Sequence, residues 1–295
     1  MGEEAGRYRA PALDKGLDIL ELLAEHAAGL TQADIAKALG RSPSELYRML
    51  DTLVRRGYVR RSLRDDRLML GVKLFALATH HPPMRRLLQV AAEVSAAVAE
   101  ETLQSCHLTL YRDGNLVVAV QTDSPGRMGL GLRVGASLDL LTTGSGQVML
   151  SFQSAARRER MLAAHAALMG EEADGEAVDR LVAATRKRGH ARKKSGQIFG
   201  VEDLAFPILG RTGDAVAVLA IPYIRRLDLP EAPSIERARE VLAAAARDLS
   251  AELPAGVADH VEPPEFAVSD DLCEAPSASA FPGRSPLQPM MKDAR

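Results

Sequence analysis

The chain has 295 residues, 46% of them hydrophobic, with 37 basic and 39 acidic side chains and a formal net charge of -2. That length suits two modest domains at roughly 150 residues each, and the balanced charge excludes a uniformly cationic protein, so any nucleic-acid site has to be a local patch. MGEEAGRYRA carries no apolar signal core, no run approaches a membrane span, and Cys106 and Cys273 lack ligand spacing, so a soluble, cytoplasmic protein with no membrane partner, disulfide or metal site is expected.

In chain order, ALDKGLDILELLAEH (Ala12 to His26) places Leu13, Leu17, Leu20 and Leu23 on one helical face, and Gly29 and Leu30 turn the chain. Thr31 and Asp34 have capping-box spacing for a second helix, which carries Ile35 and Leu39 and stops at Gly40. Ser42, Pro43 and Glu45 then take the N-cap, first-turn and third positions of a third helix. Only Arg41 separates Gly40 from that cap, and so short a turn between helices is the helix-turn-helix arrangement.

The third helix repeats Leu46, Met49, Leu50, Leu53 and Val54 at i, i+3, i+4, i+7 and i+8, which defines its buried stripe. Ser44, Arg48, Asp51 and Arg55 fall opposite, with Tyr47 on the flank. After Gly57, YVRR and RLMLG read as two strands around the turn SLRDD, a wing carrying Arg60, Arg61, Arg64 and Arg67. From Lys37 to Arg67 there are nine basic and four acidic residues, a local +5 in a near-neutral chain, which is the footprint of a module that binds double-stranded DNA. The candidate DNA contacts are Arg41, Ser42, Ser44, Glu45, Tyr47, Arg48, Arg55, Arg61, Arg64 and Arg67. A structural αα corner with a merely solvated charged face is the bland alternative, and the cap, short turn and basic wing together disfavour it.

HHPPMRRL, with Pro82 and Pro83, marks a joint, and LLQVAAEVSAAVAEET after it reads as a helix. CHLTLYRDGNLVVAVQT is a hairpin turning at Gly114-Asn115, and LAFPILGRTGDAVAVLAIPYI repeats that plan around GRTGD. Helices over 146–153, 155–167 and 176–189 lie between them, and SIERAREVLAAAARDLSAEL closes the domain. This is an α+β pattern rather than a doubly wound parallel sheet. From Pro254 onward, 7 of the 16 prolines fall in the last 42 residues, so a disordered tail is expected. The expected divisions are a DNA-binding domain over 9–79, a linker helix over 80–104, an effector domain over 105–253 and the tail over 254–295. In TTGSGQ, Gly144, Ser145 and Gly146 open a helix whose free N–H groups could face a carboxylate or phosphate, or whose glycines simply allow close packing.

ALDKGLDILELLAEHAAGLTQADIAKALGRSPSELYRMLDTLVRRGYVRR, followed by LMLGVKLFALA, resembles the winged helix-turn-helix of IclR-type transcriptional regulators. RVGASLDLLTTGSGQVMLS and FGVEDLAFPILGRTGDAVAVLAIP resemble that family's effector domain, so the likeness runs from about Pro11 to Leu253. It implies a winged helix-turn-helix joined by a helix to a GAF-like α/β effector domain, and homodimers or dimers of dimers on a promoter, with RNA polymerase as a further partner there. It also implies that the TTGSGQ turn lines an effector pocket with Lys193, Asp203, Ala220 and Pro222. The last two positions are apolar where the small-acid-binding pattern has hydroxyls, and Asp139 replaces a common proline.

The expected function is a DNA-binding transcriptional regulator modulated by a small-molecule effector, an organic acid of catabolism, with neither catalysis nor cofactor. The alternative is a small-molecule enzyme or cofactor-binding sensor built on the GAF-like domain. Gly144-Ser145-Gly146 and GLGLRVG both lack a dinucleotide fingerprint, and 4% aromatic content without Trp offers little to stack on a flat cofactor. Cys106 and His107 are adjacent on a strand and point to opposite faces, so one is read as core and neither activates the other. His80-His81 reads as linker surface.

Overall fold

The computed structural model describes residues 10–80 and 82–253, which form two compact units divided between Ala78 and Thr79. Residues 1–9, His81, Cys273 and the whole expected tail over 254–295 lie outside the described residues.

The first unit consists of α1 (Pro11–Ala24), α2 (Gln32–Ala38), α3 (Pro43–Arg55), the strands β1 (Val59–Arg61) and β2 (Leu68–Leu70), and most of α4 (Lys73–His80). Its helix starts are written locally. Thr31 Oγ1 accepts the Asp34 N–H at 3.2 Å, and the Asp34 carboxylate accepts the Thr31 N–H at 3.2 Å. At α3 the Ser42 N–H and hydroxyl both donate to Glu45 Oε2 at 2.9 Å, and Pro43 occupies the first turn without needing an N–H partner. Gln32 Nε2 donates to the Pro43 carbonyl at 3.2 Å and binds α2 to the start of α3.

The apolar stripes of these elements close one small core of Ile19, Leu23, Ile35, Leu46, Leu50, Val59 and Leu68. The stripe of α1 differs from expectation: Leu13 and Leu17 remain 61% and 48% exposed, while Ile19 is fully buried. Leu17 lies about 160° around the helix from Ile19, so one face cannot bury both. Helix α4, following the wing directly, has no counterpart among the expected elements.

The second unit begins with α5 (Pro82–Thr102), then β3 (Cys106–Arg112), β4 (Asn115–Thr122), β5 (Ser137–Leu138), α6 (Gly144–Ser151), α7 (Ala155–Met169), α8 (Gly175–Arg188), β6 (Ala191–Lys194), β7 (Val201–Leu209), β8 (Ala215–Ile224) and α9 (Ile235–Ala251). The strands form one antiparallel sheet in the order β5-β4-β3-β8-β7-β6. The β3–β4 turn is Asp113-Gly114, with φ of 42° and 87°, and Asn115 already pairs with Arg112. It sits one residue earlier than expected because a tight hairpin of this hand needs two positive φ values, which Asp-Gly supplies. The edges β5 and β6 were not anticipated; they are two and four residues long, too short for a periodic signal.

Each face of the sheet carries its own core. Cys106, Leu108, Leu204, Leu219 and Ile221 pack with Leu87, Val90, Ala91 and Val98 of α5 and Leu242, Ala246 and Leu249 of α9. The helix expected as a linker over 80–104 is therefore a packed member of the second unit. The opposite face, Ala191, Ala205, Val218 and Ala220, meets Val148, Met149 and Leu150 of α6 and Met161 of α7. Alanines on the strands leave room for α6 to lie close, and a Cβ on Gly146 would come within 2.1 Å of the Leu140 carbonyl oxygen.

Candidate functional site

On the first unit, Arg41, Ser42, Ser44, Tyr47, Arg48 and Arg55 are all exposed at the entry to α3 and along its outer face. The guanidinium groups of Arg41, Arg48, Arg55 and Arg64 form no ion pair among the described residues. An exposed helix face with unpaired cations beside it suits a nucleic-acid groove, where guanidinium groups meet phosphates and base edges.

Five expected contacts are partly engaged within the protein, Ser42 and Ser44 with each other at 3.1 Å and Glu45, Arg61 and Arg67 with further partners. Glu45 caps α3; the N–H and hydroxyl of Ser42, with Lys15 at 3.3 Å, hold its carboxyl down to about 2. Arg67 donates from Nη1 to the Gly29 carbonyl at 2.8 Å and lies 3.5 Å from Asp65, which ties the wing to the α1–α2 turn. Arg61 pairs with Asp66 at 3.1 Å on the exposed side of the wing.

On the second unit, a small pocket of about 60 Å³ lies between the N-terminus of α6, the ends of β7 and β8, and the loops around Leu132 and Ser195. Gly144, Ser145, Asp203, Ala220 and Pro222 line it, and Gly146 and Lys193 do not. Strand register explains the grouping: Asp203 is opposite Pro222, and His107 is opposite Ala220. Lys193, opposite Asp203 on β6, gives its ammonium to the Thr142 carbonyl at 2.6 Å.

Two of the three amides expected to be free for an anion are already in use. Asp203 Oδ2 accepts the Gly144 N–H at 3.3 Å, and Thr143 Oγ1 accepts the Gly146 N–H at 3.0 Å. The protein's own carboxylate and hydroxyl thus satisfy two of the orphan donors of this helix start. The two glycines have separate uses: a Cβ on Gly144 would meet Asp203 Cβ at 2.8 Å, while Gly146 allows contact with Leu140. Burial pushes the Asp203 carboxyl above its ordinary range, opposed by the Gly144 N–H and the charge of Lys193.

Among the pocket residues that the sequence reading passed over, His107 is the ionisable one. It is 5% exposed, its Nδ1 has no hydrogen-bond partner, and burial pulls its pKa down to about 4, so the ring is neutral near pH 7. Alternation along β3 separates it from Cys106, whose thiol burial in the opposite core pushes up to about 12. The available signal was that same alternation, but the pocket across the second face is made by α6, whose placement is not local information. Asp139 organises the approach to α6: it accepts the N–H groups of Leu141 and Thr142 at 2.9 and 2.7 Å, and its other oxygen lies 3.6 Å from His165 Nε2. These bonds hold the turn where the family pattern commonly has proline.

No helix among the described residues is long and apolar enough to cross a membrane. Comparison with known proteins gives two domain matches, the IclR helix-turn-helix domain at residues 12–63 and the bacterial transcriptional regulator IclR C-terminal domain at residues 83–251. The glycerol operon regulatory protein of Streptomyces griseus is 27% identical over 245 residues, covering 81% of this chain and 96% of the relative. An IclR transcriptional regulator from Alicyclobacillus acidocaldarius superposes with a TM-score of 0.67 at 24% identity, over 83% of this chain and 99% of that one. An IclR homologue from Microbacterium hydrocarbonoxydans, complexed with 4-hydroxybenzoate, gives 0.68 at 22% identity over 82% and 98%. With its two units matched in turn by these domains, the chain belongs to the IclR family of bacterial transcriptional regulators, an N-terminal DNA-binding domain followed by a C-terminal effector domain.

Proposed function

We propose that the protein acts in the cytoplasm as a homodimer, or a dimer of dimers, that reads operator DNA with α3 and the wing and releases or grips it according to a small molecule held beneath α6. The observation that carries the DNA reading is the unpaired set Arg41, Arg48, Arg55 and Arg64 around the exposed face of α3. Exposed Leu13 and Leu17 on α1 and Leu77 on α4 offer apolar surface to a second copy. Two-fold symmetry then sets half-sites about one helical turn, or a multiple of it, apart. RNA polymerase is the further partner at such a promoter.

Arg48 and Ser44 are assigned to base edges, and Arg64 to phosphate. Replacing Arg48 by Ala should cost ~1–3 kcal/mol at the specific operator and relax its sequence preference. Arg64→Ala should weaken all duplexes alike and lower the salt slope by about one unit. Wild-type protein without salt-dependent duplex binding would end this reading.

The effector reading rests on the pocket and on the ligand in the Microbacterium homologue. A ligand that weakens operator binding tenfold must itself bind tenfold more weakly to the operator complex, a coupling of ~1.4 kcal/mol. Ser145→Tyr, which fills the pocket, should abolish that response without changing ligand-free operator affinity. No catalysis is assigned: the one adjacent thiol and imidazole, Cys106 and His107, sit on opposite faces of the sheet.

A further inference from the structure

Building on the effector-pocket reading above, we infer that the ligand is a neutral, hydroxyl-bearing small molecule rather than a carboxylate, because Asp203 already occupies the anion position at the start of α6. Its Oδ2 takes the Gly144 N–H, and the close approach of Asp203 Cβ to Gly144 leaves no room for a second anion between them. No lysine or arginine lines the pocket among the described residues, and Lys193 spends its ammonium on the Thr142 carbonyl. A ligand carboxylate would enter beside the like charge of Asp203, and the nearby cation Lys193 is already held at the Thr142 carbonyl.

The unsatisfied groups point the same way. His107 is buried, neutral and without a partner for Nδ1, so it offers one donor or acceptor according to tautomer. Ser145 lines the pocket, with no hydrogen bond to its hydroxyl among the described residues, and the second oxygen of Asp203 can accept. A hydroxyl both donates and accepts, so a diol can offer one such group to Asp203 and another to His107. The carbon skeleton would lie along Leu132, Ala220 and Pro222.

The test uses two probes with the same three-carbon skeleton, propane-1,2-diol and lactate, which differ by a CH2OH in place of a carboxylate. Full-length protein labelled at histidine is titrated with each by NMR; the His107 ring signal is identified by its loss in His107→Gln, and the buried His165 signal reports that the domain stays folded. The diol should shift the His107 signal saturably and bind at least about tenfold tighter than lactate, and Asp203→Asn should close that gap by strengthening lactate. If lactate moves His107 in wild type at equal or lower concentration, the ligand class is wrong while the effector pocket stands. Unchanged lactate affinity in folded Asp203→Asn would remove Asp203 as its cause. If neither probe moves His107 at any soluble concentration, both the ligand class and this pocket as the effector site fall.

Discussion

In the DNA-binding unit the contacts that matter most for reading DNA join residues three positions apart, Thr31 to Asp34 and Ser42 to Glu45. In the effector unit the contact that defines the pocket, Gly144 to Asp203, joins residues 59 positions apart, and Gln104, which completes the end of β8 by bonding the N–H and carbonyl of Ile224, reaches across 120. One unit is assembled from helices that each carry their own start signals and stripe. The other exists only once a six-stranded register has formed. The contrast teaches that a recognition helix can be read from a short stretch, whereas a ligand pocket belongs to the sheet as a whole.

The largest expected effect separates the two units. Leu50→Ala removes a fully buried side chain from the small first core and should cost about 2–5 kcal/mol, abolishing operator binding. Denaturant titration should show that loss while the His165 signal of the effector unit keeps its midpoint; a matching shift there would show that the units do not unfold separately.

Gly146→Ala probes the opposite case. Its Cβ would face backbone atoms of Leu140, which cannot rotate away, so α6 must shift, at about 1–3 kcal/mol. Thermal melting should place this cost in the effector unit, and the His107 ring signal should move with it.

A pH dependence of intermediate size follows from His107. Its folded pKa of about 4 lies below the ordinary 6.5, so the unfolded chain binds the extra proton across that interval. Stability is fully present above 6.5 and falls as pH drops toward 4. His107→Gln should flatten part of that slope in urea titrations at a series of pH values; an unaltered slope would mean that the ring is not buried neutral.

The smallest effect is local to α3. Glu45, held down to about 2, contributes its cap above its ordinary 4.5 and loses it only as pH falls through about 2. The Ser42 amide signal should titrate with that low midpoint and stop doing so in Glu45→Gln. A midpoint near 4.5 would mean that the cap is open in solution.

Particular residues show where legibility ended. The start of α3 was readable because Ser42, Pro43 and Glu45 act within one turn, and the wing because its strands flank a six-residue turn. Arg67, a candidate DNA contact in the sequence, also bonds Gly29 in the structure, since a bond to a carbonyl 38 positions away is made by packing. Likewise the stripe of α1 needed its partners: Ile19 or Leu17 could have faced inward, and the surfaces of α3 and β2 decided for Ile19.

What the sequence by itself determined is the set of short-range decisions: helix starts, the Asp113-Gly114 reversal within one residue, the basic excess around α3, and the opposite orientation of Cys106 and His107. Each follows from backbone preferences or periodicity over a few residues. Only the tertiary structure decided that α5 belongs to a core, that Asp203 fills the start of α6, and that His107 faces a pocket. Those outcomes depend on which face of a sheet a distant helix covers, and that is settled by the burial of apolar surface across the whole unit, not by any one stretch of it.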